Sequence, residues 1–129
     1  MDKKSILRAF NEHFLEFMQD VIRVFPNDNN LYACKMAIDN MRKANPKLLL
    51  VTFSNEFSNK YREQINNSNI DFFINNNYSD SVRNAESAST ILDKINLLRE
   101  PIRNMDESDK NKTIQYIQNL TKLSDMYYA

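Results

Sequence analysis

The chain has no glycine and no tryptophan, and its 129 residues include one cysteine, one histidine and three prolines. The lack of glycine excludes the phosphate cradles that depend on it: no G-x-x-x-x-G-K-[ST] loop, no G-x-G-x-x-G fingerprint and no G-x-S-x-G elbow can be written. A lone Cys34 forbids an internal disulfide and suits a reducing compartment. A lone His13 leaves any His-based metal site or Ser–His relay one copy to work with. It lies beside Glu12 and three residues before Glu16, one short of the i,i+4 spacing of two ligands on a helix, and reads as a surface or boundary residue. No apolar run approaches the ~20 residues that span a bilayer, and the N-terminus lacks the apolar core of a signal peptide. An excess of charge is missing too. Lys and Arg number 17 against 17 Asp and Glu, so no global field draws in nucleic acid or an acidic membrane.

What remains is globular in character, 42% hydrophobic and 26% charged, in a length that suits one domain over residues 1–129 with one real core. Asparagine is abundant at 19 residues and clusters at 27–30, 66–69 and 75–77, where breaks in structure are expected. Asparagine is the next-best residue at left-handed positions and can take over the role of glycine at helix ends. An AT-rich coding sequence would produce the same bias. The N-x-S/T matches at Asn66, Asn77, Asn111 and Asn119 are taken as chance.

The fold class turns on Asn45 to Phe57. Leu48, Leu49, Leu50, Val51 and Phe53 form a nearly continuous apolar run, either a buried strand or a buried helix. Asn45 as N-cap and Pro46 at the first helical position favour a helix, as do Phe53, Phe57 and Tyr61 at a spacing of four. A strand would have only Ile70 to Ile74 as partner, and two such strands make no stable sheet. The expectation is an all-α bundle of five to six helices with a buried central helix near 46–57. Ser5 to Phe25 carries the broad stripe Ile6, Phe10, Phe14, Phe17, Val21 and Phe25. Asn30 to Ala44 carries Leu31, Cys34, Ile38 and Met41. Ile70 to Ile74 is a helical turn plugging the core, and Asn75 to Ser89 a long polar loop. Thr90 to Met105 buries Ile91, Ile95, Leu98, Ile102 and Met105, with Pro101 kinking it or starting a new segment. The last helix, capped by Asp106 to Asp109, runs to about Tyr127.

Few residues suggest chemistry. Cys34 on its apolar stripe is a buried, inert thiol. Asp106, Glu107 and Asp109 fit no calcium loop and read as a solvated cap. No catalytic, cofactor or metal residues are assigned, and the chain is read as non-enzymatic. Arg42, Lys43 and Lys47 bracket the Asn45-Pro46 corner and form the basic cluster that could meet an anion or a nucleic acid. Met126, Tyr127 and Tyr128 end the chain with residue types enriched at protein interfaces, against the alternative that the tyrosines fold back on the first helix.

Five stretches in order, NEHFLEF (Asn11 to Phe17), RKANPKLL (Arg42 to Leu49), IDFFINNNYS (Ile70 to Ser79), LREPIRNM (Leu98 to Met105) and YIQNLTKL (Tyr116 to Leu123), carry a resemblance. Together they resemble a family of short proteins encoded by large nucleocytoplasmic DNA viruses, the giant viruses of algae and protists. The resemblance implies an intracellular viral protein, helical throughout, in the host cytoplasm, virus factory or virion, and brings no activity with it. The leading expectation is a structural or protein-interaction component that binds a protein partner or itself. The alternative is an accessory nucleic-acid-binding protein using Arg42, Lys43 and Lys47.

Overall fold

The computed structural model describes residues 2–75 and 86–129. Its elements are α1 (Lys3–Val24), α2 (Asn29–Ala44), α3 (Leu48–Phe53), a π-helical turn (Ser54–Ser58), α4 (Arg62–Asn66), α5 (Asp71–Asn75), α6 (Glu86–Asn96), α7 (Arg99–Arg103) and α8 (Glu107–Tyr128). No strand occurs among the described residues, so the fold is all-α as expected. No helix among them is long and apolar enough to cross a membrane.

The long helices start where acidic caps allow. Asp2 accepts from the Ser5 N–H at 2.7 Å, Asp28 from Asn30 at 3.0 Å and Asp106 from Asp109 at 2.8 Å, each satisfying a donor that the helix leaves open. The α1 stripe is buried from Ile6 to Ile22 and faces α8 on one side and α2 on the other. Leu31, Cys34 and Ile38 are buried on α2, whereas Met41 is only partly covered.

The corner at Pro46 differs from expectation. Asn45 ends α2 in extended backbone, as the residue before a proline is biased to do, and does not cap the central helix. The chain turns through Pro46 and Lys47, tied by a 3.2 Å bond from the Leu48 N–H to the Asn45 carbonyl, and the α-helix starts at Leu48. The central helix is therefore one short α segment continued by a wider π turn.

The π turn has an identifiable setting. Ser54, Ser58, Thr121 and Ser124 are buried small residues where this turn meets α8. The Ser58 and Thr121 hydroxyls bond each other at 3.1 Å, so each polar group is satisfied inside the contact. At the centre, the Phe53 ring lies 5.6 Å from Phe10, 6.4 Å from Phe14 and 5.3 Å from Phe57.

Asparagine does not take the left-handed position. Among the described residues that backbone belongs to Ser68, with φ of 58°. It ends α4 in a Schellman motif: the Asn69 N–H reaches the Gln64 carbonyl at 2.9 Å, and the Ser68 N–H reaches Ile65 at 3.1 Å. Gln118 of α8 donates to both the Ile65 carbonyl and the Ser68 hydroxyl, holding the turn from outside. Asn69 serves next door, its side chain accepting from the Asp71 N–H at the start of α5.

Phe72, Phe73 and Ile74 of α5 plug the core as expected, and Arg99 and Arg103 both donate to the Ile74 carbonyl. Of the expected loop over 75–89, residues 76–85 lie outside the described residues, and 86–89 are already helical in α6. The next break falls at Leu97 and Leu98, before Pro101. The lost bond explains its place. An amide at 101 would have reached the carbonyl of 97, so the helix ends there and restarts with Pro101 in the first turn of α7.

A candidate cationic groove between the first two helices

Residues 4, 8 and 11 of α1 fall at helical spacing on one face. Lys4 and Arg8 are exposed there, while Leu7 and Asn11 are buried beside them. The last turn of α2 brings Arg42 and Lys43 opposite, and Pro46 closes the end. These seven side chains line a groove of about 270 Å³.

One carboxylate pairs with two of the four cations. Asp39 accepts from Arg42 Nε at 2.7 Å and lies 3.4 Å from Lys43 Nζ. The Arg42 hydrogen bond, chiefly, holds its carboxyl below the usual aspartate range. With a lowered folded pKa, its stabilisation is present above the ordinary aspartate pKa and is lost as pH falls through the lowered one. Lys4 and Arg8 form no ion pair among the described residues. Asp2 feels the charge of Lys4, but its side chain is engaged in capping α1.

Asn11 joins the groove to the fold. It is 5% exposed, and its Nδ2 donates to the Pro46 carbonyl at 3.0 Å, pinning the corner onto α1. Its Oδ1 is buried and has no donor among the described residues. A buried acceptor left open costs about 1–3 kcal/mol.

Of the three basic residues singled out in the sequence, the fold brings Arg42 and Lys43 into the groove. Lys47 is exposed just before α3 and lies outside it. Lys4, Arg8 and Asn11 were not anticipated, because the pairing of α1 with α2 is a tertiary fact. A signal for Asn11 did exist: it follows Leu7 by four and precedes Met18 by seven, a polar residue within an apolar stripe.

The other candidates have structural partners. The Cys34 thiol is buried, bonds the Lys94 carbonyl at 3.8 Å, and is pushed up by that burial, so it is no ready thiolate. His13 sits at the edge of a 450 Å³ groove between α1 and α8 that also carries Glu12, Glu16 and Lys122, charges of both signs. Its ring lies 5.0 Å from Tyr116, and its Nδ1 lies 3.4 Å from Glu16, while its Nε2 is buried with no hydrogen-bond partner among the described residues. Asp109 pairs with Arg23 at 3.2 Å, tying the start of α8 to the end of α1. No group of three metal-ligating side chains occurs among the described residues. At the C-terminus, Tyr127 is buried with Lys3 Nζ 5.2 Å above its ring, whereas Met126 and Tyr128 are 46% and 53% exposed.

Compared with protein-family models, with curated proteins and with solved structures, the chain matches none, so the groove is interpreted from its geometry alone.

Proposed function

We propose that the protein is a non-enzymatic interaction protein that holds an anionic group of its partner in the groove between α1 and α2. The observation that carries this reading is the convergence of Lys4 and Arg8, which form no ion pair among the described residues, with Arg42 and Lys43. The two helices fix the positions from which the four side chains reach, so an anion is selected by position as well as by charge, at the cost of the rotamer freedom each long side chain gives up. The zero net charge confines this attraction to short range, which suits a local site better than a polymer track. Isothermal titration with inorganic pyrophosphate tests it. The Lys4→Gln, Arg8→Gln double variant should bind about tenfold more weakly, ~1.4 kcal/mol, at an unchanged melting temperature. Binding that ignores both salt and this substitution would place the anion elsewhere.

A second reading concerns self-association at the C-terminus. It is favoured by the exposure of Met126 and Tyr128 on either side of the buried Tyr127 in the last turn of α8. Tyr127, being buried, stands outside that surface. Replacing Met126 and Tyr128 with serine should leave the free energy of unfolding within ~0.5 kcal/mol of wild type, as for ordinary surface changes. Light scattering should then show weaker assembly; unchanged scattering would remove these residues from any interface.

A further inference from the structure

The cationic groove has a counterpart of opposite sign at the other end of the same helix pair. A second groove, of about 370 Å³, is lined by Phe25, Leu97 and Pro101 together with the carboxylates of Asp28 and Glu100, and among the described residues no cation lines it. Helix ends add to its negative character. Phe25 caps the C-terminus of α1 and Leu97 follows the last residue of α6, so the open carbonyls of two helices border the groove. The N-terminus of α2 arrives there too, and Asp28 is the cap that answers it. Each carboxylate spends one oxygen on its own chain: Asp28 Oδ1 accepts from the Asn30 N–H, and Glu100 Oε2 from Arg103. The other oxygen of each accepts no hydrogen bond among the described residues. Leu97 stands beside them 49% exposed. At ~1.5 Å per helical residue, Arg8 and Phe25 lie about 25 Å apart along α1, so the cations of one end cannot reach the carboxylates of the other within one molecule.

We infer that the protein associates head to tail with a second copy of itself, Lys4 and Arg8 of one molecule entering the groove at Asp28 and Glu100 of the next. This deepens the anion-binding reading and rests on it, since the anionic group held between α1 and α2 becomes the carboxylate pair of another copy. Two hollows would not fit together, but Lys4 and Arg8 are long, exposed and without an ion pair among the described residues. Their apolar stems suit Phe25, Leu97 and Pro101, and their charged heads suit the open carboxylate oxygens. A foreign acidic partner would satisfy the cationic groove alone, whereas a second copy satisfies both grooves at once. The zero net charge fits as well: ends of opposite sign cancel over the chain, and approaching copies do not repel as wholes. Such a contact is heterologous, with different patches on the two molecules, so each copy keeps one patch open for a third.

Sedimentation velocity of the full chain over a range of concentrations tests it. Assembly should be present at low salt and weaken about tenfold in ~1 M salt, where the screening length falls to ~3 Å. Lys4→Glu with Arg8→Glu removes the inserted cations. Asp28→Asn with Glu100→Lys removes the acceptors, and asparagine keeps the α2 cap. Each double variant alone should associate about tenfold more weakly than wild type, at an unchanged melting temperature. Mixed in equal amounts, the two should pair at wild-type strength, because each supplies the intact patch that the other lacks. Inorganic pyrophosphate should compete with wild-type assembly beyond the effect of sodium chloride at the same ionic strength. If a variant loses its melting transition, the salt and pyrophosphate responses of the wild type decide alone. A wild type that stays monomeric at low salt and the highest soluble concentration would overturn the inference, as would assembly that survives in both variants. Where pyrophosphate still binds in those cases, the anion-binding reading stands; where it does not, both fall.

Discussion

Replacing Phe53 with alanine should lower stability by about 3–5 kcal/mol, the usual cost of truncating a buried phenylalanine. Phe53 is 4% exposed and is the ring around which Phe10, Phe14 and Phe57 are grouped, contributed by α1 and the π turn. Its removal leaves a void lined from two directions, and α1, anchored along α8 and α2, cannot move in to fill it. The loss is a large share of the ~5–15 kcal/mol that holds a typical domain together. Urea unfolding should show the midpoint fall while the slope is kept. Met36→Ala, at a residue 68% exposed, serves as the control and should change stability by no more than ~0.5 kcal/mol. Equal effects from the two substitutions would remove Phe53 from the centre of the core.

The second large effect is expected where the π turn meets α8. Ser58 is fully buried and shares its hydrogen bond with Thr121. Ser58→Leu would force extra methylenes into a contact built from small side chains, at a cost of about 1–3 kcal/mol. It would also strip the Thr121 hydroxyl of its partner, which costs about 1–3 kcal/mol more if no other acceptor is found. Ser58→Ala removes the bond without adding volume and should cost less than the leucine. If alanine proved as harmful as leucine, the hydroxyl pair would matter more than close approach. If neither changed the unfolding midpoint, the π turn would not press on α8.

Much of the architecture can be read from local pattern. The buried stripe of α1, the acidic cap at Asp106 and the buried series Ile91 to Met105 follow from periodicity and capping within a few residues of chain. The same local reasoning placed the start of the central helix too early. Asn45 and Pro46 suit a helix start, but Asn45 ends α2 and the chain turns through Pro46 and Lys47 before the α-helix begins at Leu48. Ser68 shows a similar limit. Asparagine tolerates left-handed backbone better than serine, yet Gln118, fifty residues away, donates to Ser68 and steadies the turn there.

The candidate groove divides in the same way. The positive charge of Arg42 and Lys43 beside a proline corner is a property of adjacent residues, and so was visible in the chain. Lys4 and Arg8 are more than thirty residues away, and nothing local distinguishes them from other solvated cations. They join the site because the apolar stripes of α1 and α2 bury each other, which carries their polar flanks together. Helix formation depends on bonds and contacts a few residues apart, so the amino-acid order alone determined the all-α class and most of the core. Which flanks face one another depends on packing between distant segments. Only the tertiary structure could decide that Asn11 meets Pro46, that Lys47 stands aside, and that four cations share one groove.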